Sequence, residues 1–250
     1  MLDGAARVAD LVKEVAAQEM PAIAITDHGN LFGAFDFYKQ AKKAGVKPII
    51  GLEAYVAPET RFDKRRVQWA EGGEDDVSGG GAYTHMTLLA ENNQGLANLF
   101  RLASLSSLEG FYYKPRIDRE LLSKYGKGLI GTTGCPGGEI QTRLRMGSFK
   151  EALKAASEMQ DILGKGNFFV ELMNHGLDIE NRVQGDLLKL AKDLNIPLLA
   201  TNDLHYTFKE DASAHEVLLC VQSGSTLADP KRFKFDGDQF YLKSAAEMRE

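Results

Sequence analysis

The chain has 250 residues, of which 44% are hydrophobic and 26% are charged, a mix that is ordinary for globular proteins. Its net charge of −5 argues against a broad cationic surface that grips nucleic acid through many phosphates. Two cysteines are too few for a disulfide framework, and no apolar run approaches the roughly 18 residues needed to cross a bilayer. We therefore predict a folded cytoplasmic protein without membrane contact.

The opening residues, MLDGAARVADLVKEVAAQEM, predict a helix. Asp3 is placed to cap its first turn, because a short carboxylate can accept hydrogen bonds from the unpaired N–H groups there. The run PAIAIT (residues 21–26) then predicts a buried strand. FGAFDFYKQAKKAG follows as a helix that ends at Gly45, with Phe32, Phe35 and Ala41 at helical spacing, and KPIIGLEAYVA is a second strand.

Strand and helix patterns continue to alternate from YTHMTLLAE to ASAHEVLLCVQ, which ends near residue 222. This alternation predicts βα units around a largely parallel sheet. With about six strands over this length, a (β/α) barrel is favoured over an open, doubly wound sheet. The open sheet is further disfavoured because no Gly-x-Gly-x-x-Gly or P-loop motif follows a predicted strand.

Residues 61–81, RFDKRRVQWAEGGEDDVSGGG, join a basic cluster to an acidic, glycine-rich stretch between the second and third strands. The composition favours an exposed insertion loop. The alternative is a local patch that contacts phosphate through four cations: Arg61, Lys64, Arg65 and Arg66. At the other end of the chain, FYLKSAAEMRE predicts the start of a helix with Ser244 at its N-cap.

Side chains that can bind metal ions recur at the ends of the predicted strands. They are Asp27, His28, Glu53, His85, Cys135, Glu171, His175, Asp203 and His205. In a parallel barrel the C-terminal ends of the strands converge on one face, so residues distant in sequence meet there. Asp3, His28 and Glu53 are evenly spaced, about one βα unit apart, which places Asp3 in the same series.

Each of these residues also has a plainer interpretation. A lone histidine beside a strand is more often a structural residue than a ligand, and Cys135 could simply be a small buried side chain. Asp203 could cap a turn, and Glu53 could pair with a lysine. Four of the five histidines lie at strand-to-loop junctions together with several acids, which favours a shared site. Such nitrogen, oxygen and sulfur donors suit Zn²⁺, Mn²⁺ or Fe²⁺, and their number suits two or three ions.

Six motifs resemble, in order, those of the polymerase and histidinol phosphatase (PHP) family: AITDHGN, PIIGLEAYVA, YTHMTLLAEN, TTGCPGGEIQ, FFVELMNHG and ATNDLHY. Their spacing and the tail DPKRFKFDGDQFYLKSAAEM are similar to the N-terminal PHP domains of bacterial replicative DNA polymerases, over essentially the whole chain. The resemblance implies an α/β fold, a distorted (β/α)7 barrel of the PHP type, with a trinuclear metal centre. Residues 1–250 would form this domain, with 61–81 as an exposed insertion and 230–250 starting the connection to a polymerase core.

The resemblance, carried over by position, implies seven metal ligands: Asp3, His28, Glu53, His85, Cys135, Asp203 and His205. Three further residues would orient them: Asp27, Glu171 and His175. The family's first motif is a His-x-His pair followed shortly by Leu-Asp-Gly. Leu2-Asp3-Gly4 is present and the paired histidines are absent. We therefore expect a chain that begins inside the domain, without its first strand, and an impaired site.

The resemblance implies a fragment of a DNA-directed DNA polymerase whose PHP site hydrolyses 3′-terminal phosphodiesters, as a proofreading 3′–5′ exonuclease. The implied partners are a primer 3′ end, deoxynucleotides and other replicase subunits. The implied cofactors are up to three divalent ions, with Mg²⁺ serving polymerisation elsewhere in the parent protein. Two alternatives stay open: a non-catalytic, metal-stabilised module that supports the polymerase, and a stand-alone phosphoesterase such as histidinol phosphatase, which the insertion at 61–81 disfavours.

Overall fold

A computed structural model describes residues 3–67 and 79–249, over which the chain forms seven strands and eight α-helices. The strands are β1 (Ala22–Ile25), β2 (Lys47–Val56), β3 (Thr84–Ala90), β4 (Arg116–Ile117), β5 (Leu129–Thr132), β6 (Phe168–Leu172) and β7 (Leu198–Ala200). The helices are α1 (Val8–Ala17), α2 (Ala34–Lys43), α3 (Asn93–Leu108), α4 (Arg119–Tyr125), α5 (Glu139–Arg145), α6 (Phe149–Leu163), α7 (Asp178–Leu194) and α8 (Ala212–Ser223). Within the described ranges, no helix has both the length and the apolar character that crossing a bilayer requires.

The sheet runs in the order β1-β2-β3-β5-β6-β7, with β4 paired to β2. This arrangement is a mixed half-barrel, which confirms the predicted α/β class. Its strands pair in parallel except that β3 runs antiparallel to both β2 and β5. A parallel neighbour needs a long crossover, usually a helix, and the described part of the connection from β2 to β3 holds only the 3₁₀ turn Gly79–Gly81.

The two faces of the sheet have different chemistry, because successive side chains of a strand point to opposite sides. On β2, Leu52, Ala54 and Val56 join the main hydrophobic core with α3 to α7. Glu53 and Tyr55 point to the other face, where donor side chains gather. The sequence of one strand therefore supplies both core and site.

A second apolar cluster joins α1, α2 and β1. Phe37 and Ala41 are the buried residues of α2. Phe32 precedes this helix, and both Phe32 and Phe35 are exposed, at 79% and 74%. Their helical spacing marked the helix correctly but did not identify its buried face.

Two predictions concern the ends of the chain. The helix cap assigned to Asp3 is wrong, since α1 begins at Val8 and its N-cap, Arg7, makes no side-chain cap bond. The predicted start of a helix after Ser244 is present as a 3₁₀ turn, Glu247–Arg249, and Ser244 caps it as predicted. Its Oγ accepts a hydrogen bond from the Glu247 N–H at 3.3 Å, while the Glu247 carboxylate accepts one from the Ser244 N–H at 2.7 Å.

The predicted phosphate-contacting role of Arg61, and its place in an exposed loop, are contradicted by its burial. Arg61 is only 7% exposed, and its guanidinium binds the carboxylates of Glu109 at 2.7 Å, Asp118 at 3.0 Å and Glu120 at 3.0 Å. These acids neutralise the cation and occupy its donors. Exposed positions are held by the other three cations of the predicted patch: Lys64, Arg65 and Arg66. Residues 68–78 of the predicted insertion lie outside the described residues.

Candidate metal centre

Donor side chains from separate segments meet at one edge of the half-barrel. His28 follows β1, and its backbone forms a parallel bridge with Glu53 of β2. His85 lies at the start of β3 and pairs with Tyr55 near the end of β2. Because β3 is reversed, its beginning lies at the edge where β1 and β2 end. This geometry explains how a strand-start residue reaches the same site as strand-end residues.

The first group of donors consists of Asp3, His28 and His205, with one donor atom of each within 4.8 Å of the others. His28 Nε2 lies 2.6 Å from Asp3 Oδ2, and His205 Nε2 lies 3.4 Å from the same oxygen. Spacing at this scale leaves the three side chains able to share one cation.

The second group consists of His28, Glu53 and His85. His85 Nδ1 lies 2.8 Å from Glu53 Oε1, and His28 Nδ1 lies 3.4 Å from Glu53 Oε2. His28 therefore belongs to both groups, with one ring nitrogen facing each. The residues of these two groups would hold divalent ions at neighbouring positions, with His28 available to either group.

Cys135 and Asp203 lie beside these groups rather than within them. Cys135 Sγ is 3.6 Å from His85 Nδ1 and 3.9 Å from Glu53 Oε1, so the thiol adjoins the second group. Asp203 is half-buried, and its backbone has φ of 42°, in the left-handed region that non-glycine residues rarely adopt. Such strain is typical of positions where a side chain is aimed at a functional site.

The loop that carries Asp203 and His205 is clamped by residues 239–242. Asn202 donates hydrogen bonds to the carbonyls of Gln239 and Tyr241, both at 2.7 Å, and the His205 N–H donates to the Phe240 carbonyl at 2.8 Å. The segment assigned to a polymerase connection thus packs directly on the site.

The three residues expected to orient the ligands contact the backbone or side chains of neighbouring segments. Asp27 accepts a hydrogen bond from the Gly33 N–H at 2.8 Å, which anchors the loop after His28. His175 Nε2 lies 2.9 Å from the Asn202 carbonyl, and its Nδ1 lies 2.5 Å from Glu180. Glu171 accepts hydrogen bonds from two hydroxyl groups, those of Thr132 and Thr201.

His215 is a residue of the site that sequence reasoning missed. It is a buried residue of α8, and its Nε2 lies 2.5 Å from the backbone carbonyl of Asp3. Burial lowers the pKa of His215 from its ordinary value, which favours the neutral ring. The only signal in the sequence was a single histidine in the apolar helix pattern ASAHEVLLCVQ.

Imidazole contacts govern the protonation of two carboxylates of the site. Burial acts to raise the pKa of Asp3, but hydrogen bonds from His205 and His28 outweigh it and lower the pKa. Burial likewise opposes ionisation of Glu53, and the hydrogen bond from His85 lowers its pKa. These acids are stabilised as anions by partners inside the site.

In the remaining acidic groups burial outweighs the partners that favour ionisation. Burial raises the pKa of Glu171 to about 7, and burial also raises the pKa of Asp203. The pKa of the Cys135 thiol is raised well above its usual value by burial and by the negative charge of Glu53. A cation at this edge would reverse these shifts, since it favours the ionised forms of all three.

The residues present fit a group of divalent transition-metal ions. His28 Nδ1 is buried and makes no hydrogen bond to any described residue, which leaves a donor atom free for an ion. Imidazole, carboxylate and thiol donors in one cluster suit Zn²⁺, Mn²⁺ or Fe²⁺. The fold and site together define an α/β half-barrel protein with a candidate metal centre at one edge of its sheet.

The comparisons with known proteins assign this class to a family. A profile of the PHP domain family matches residues 1–175, and the chain belongs to this family. It is 60% identical to DNA polymerase III subunit alpha of Saccharopolyspora erythraea, over all of this chain and 22% of that protein. It is 57% identical to DNA polymerase III subunit alpha of Mycobacterium tuberculosis, over all of this chain and 21% of that protein. The chain thus spans about a fifth of the length of these relatives.

Among solved structures, an amidohydrolase from Chromobacterium violaceum aligns with a TM-score of 0.49 and 14% identity. The alignment covers 82% of this chain and 84% of that protein.

Proposed function

We propose that this chain is the PHP part of a bacterial DNA polymerase III alpha subunit and that its metal centre acts as a 3′–5′ exonuclease. The observation that carries the proposal is the shared position of His28, which joins two donor groups at one edge of the sheet. Hydrolysis of a phosphodiester needs charge neutralisation on several oxygens, which adjacent cation positions suit. Close similarity to DNA polymerase III alpha subunits directs the proposal to DNA.

In this proposal seven side chains hold the ions: Asp3, His28, Glu53, His85, Cys135, Asp203 and His205. When bound, two or three Zn²⁺, Mn²⁺ or Fe²⁺ ions supply phosphate neutralisation and activation of water. Burial raises the pKa of Glu171 to about 7 when no ion is bound, and bound ions would favour its ionised form. Asn202 and His175 fix the loop on which Asp203 and His205 stand.

The same proposal supplies the wider context. Residues 1–250 form the PHP domain, and residues 230–250 lead towards the polymerase core. The partners are a primer 3′ end, deoxynucleotides and other replicase subunits in the cytoplasm. Polymerisation with Mg²⁺ belongs to the parent protein outside this chain.

Excision of a 3′-terminal mismatch tests the proposal, with the protein expressed at the full length that its gene encodes. We expect Mn²⁺- or Zn²⁺-dependent excision that His205→Ala and Asp203→Asn each reduce by about a hundredfold or more while primer extension continues. Asp161→Asn, an exposed acid on α6, is the matched control and should leave excision unchanged. Excision that survives both site variants would show that another centre performs it.

A non-catalytic role has its own support in the way the site ties distant segments together. The Ala5 and Ala6 N–H groups donate to the His205 carbonyl at 2.7 and 3.1 Å, and His215 reaches the Asp3 carbonyl. A metal that only braces these segments would raise the melting temperature without supporting excision. Thermal unfolding with and without Zn²⁺, beside the excision assay, separates the two functions.

A further inference from the structure

Residues 111–115, named here the aromatic turn, form a tight bend before β4. The Tyr112 N–H donates to the Lys114 carbonyl at 3.0 Å, and the two residues form an isolated antiparallel bridge. Tyr113 at the tip has φ of 61°, a left-handed conformation that is rare for a bulky residue. A strained aromatic residue at the tip of a turn is retained only where the surroundings enforce it.

The aromatic turn lies against the loop that carries His28. A Cβ on Gly29 would lie only 2.7 Å from Pro115 Cγ and 3.0 Å from the ring of Tyr55, so these three residues are in close contact. The Tyr55 ring stacks on His28 with centroids 5.9 Å apart, and Lys114 Nζ lies 5.5 Å from the Tyr55 centroid. A cation is therefore held beside the donor groups without occupying them.

The outer side of the aromatic turn presents rings and charge to solvent. Phe111 is 58% exposed and Tyr113 is 59% exposed. The guanidinium carbon of Arg66, an exposed residue, lies 5.0 Å from the centroid of the Tyr113 ring. Large exposed aromatic residues that cluster with cations indicate a binding surface, whereas single exposed apolar side chains are common on any protein.

Buried contacts hold this turn from behind. The side chain of Arg116 is completely buried and donates to four backbone carbonyls, those of Arg61, Asp63, Ala82 and Gly110. The Arg61 guanidinium adds an ion pair to Glu109 just before the turn. The exposed rings thus stand on a fixed support, as expected of a preformed binding surface.

We infer that the aromatic turn is a stacking platform for the terminal bases of a single-stranded DNA 3′ end, with Lys114 and Arg66 facing its phosphates. Aromatic faces accept any base, and a few local cations position the backbone, so a chain of net charge −5 can bind DNA at this point. The inference rests on the proposed function, because it gives the metal centre its substrate. The aromatic turn lies beside the side chains that are proposed to hold the metal ions.

Binding of a short, fluorescein-labelled oligodeoxythymidine to the 250-residue chain tests the platform. Anisotropy is measured in EDTA, so that no cleavage occurs. Tyr113→Gly removes the ring while glycine adopts the positive φ freely, and we expect binding about tenfold weaker. Lys114→Gln should weaken binding and reduce the salt dependence by about one phosphate contact.

Two matched variants control for surface changes in general. Lys124 also lies over a tyrosine ring, 5.4 Å from the Tyr125 centroid, at the end of α4 that leads to the opposite edge of the sheet. Phe100 is a 51% exposed aromatic residue of α3. Lys124→Gln and Phe100→Ala should both bind the oligonucleotide as the parent chain does.

Photocrosslinking supplies an independent measurement. An oligonucleotide with 5-iododeoxyuridine at its 3′ end should crosslink to Phe111 or Tyr113. The inference is overturned if crosslinks form only elsewhere. It is also overturned if Tyr113→Gly keeps parental affinity for the oligonucleotide, a result that would indicate a protein partner for this surface. Failure of the proposed function looks different: binding would respond to these variants, while no metal-dependent excision would be found in the full-length protein.

Discussion

The arginine cluster around Arg61 and Arg116 and the candidate metal centre are both buried and polar, but their donors and acceptors are matched differently. Arg61 meets three carboxylates, and Arg116 meets four backbone carbonyls. In the metal centre, His28 Nδ1 makes no hydrogen bond to a described residue, and Glu171 has a pKa raised to about 7 by burial. Among the described residues, the arginines of the first cluster find partners for their charges and hydrogen bonds, whereas the metal centre keeps groups that lack such partners.

The difference separates a structural use of buried polarity from a ligand-binding one. A buried network whose members are all paired fixes the fold, because removal of one partner leaves the others unpaired. A buried network that contains a metal-binding nitrogen without a hydrogen bond and an excess of acidic groups lowers the free energy of unfolding of the protein without metal. A bound cation can remove this loss of stability. The contrast leads to four predictions about stability.

The largest effect is expected for Arg116→Met. The substitution leaves four backbone carbonyls without their donor, three of them in buried contacts, and the free energy of unfolding should fall by about 4 kcal/mol. Urea denaturation at pH 7 measures this loss. A loss below about 1 kcal/mol would mean that water or neighbouring groups replace the guanidinium, and the cluster would not be structural in the sense argued.

The second effect is a pH dependence of the free energy of unfolding, which Glu171 causes in the protein without metal. Its pKa is about 7 in the fold against 4.5 for an unperturbed glutamate, so the neutral form is favoured by folding. This contribution is fully present below pH 4.5 and is lost as the pH rises through 7. In EDTA the free energy of unfolding should therefore fall by about 3 kcal/mol over that window.

Glu171→Gln is the control for this dependence, because an amide resembles the neutral carboxyl and does not titrate. Its urea midpoint should fall less than that of the parent protein between pH 4.5 and 6.5, and the fall that remains comes from Asp203, whose pKa burial also raises. A fall above pH 6.5 should remain in the variant, since the pKa of His205 is raised to about 9 and its stabilising protonation is lost there. An equal fall in both proteins below pH 6.5 would rule out Glu171 as its source.

The third effect compares the two cysteines. Cys135 adjoins the second donor group, whereas Cys220 is a buried residue of α8. Cys135→Ala should weaken Zn²⁺ binding about tenfold, which reduces the metal-induced stabilisation by about 1.4 kcal/mol at a fixed excess of Zn²⁺. Cys220→Ala should keep the full metal response. Unfolding measured across a Zn²⁺ series distinguishes them, and equal responses would remove Cys135 from the centre.

The smallest effect is expected for Arg65→Ala, the exposed counterpart of Arg116. The Arg65 side chain is 87% exposed and pairs only with Asp63 in the described contacts, through a salt bridge of 2.5 Å. Exposed pairs contribute little to stability because water screens them. The urea midpoint should stay within experimental error, and a clear shift would show that the basic segment contributes to the fold.

The alternation of strands and helices was predictable because each repeats a pattern of apolar residues that its geometry requires. The direction of β3 was not, since a strand has the same alternation read either way. β4 contains only two residues and gave no pattern. Arg61 looked like part of a cationic patch because its acidic partners lie 48 to 59 residues further along the chain.

The site was predictable to the extent that its residues occur at strand ends. Asp3, His28 and Glu53 were placed together by even spacing, and the structure brings them together. His215 escaped because a helix interior gives no reason to expect a histidine beside a distant loop. The free His28 Nδ1 also escaped, since hydrogen-bond geometry has no signature in sequence.

The contact between His215 and the Asp3 carbonyl joins residues 212 positions apart. On a ribosome that adds about 5–20 residues per second, Asp3 and His28 emerge on the order of ten seconds or more before His215 exists. Such a distant contact also forms late in folding, because a long loop must close before it. Assembly of the centre therefore waits until the segment that carries His215 has been synthesised.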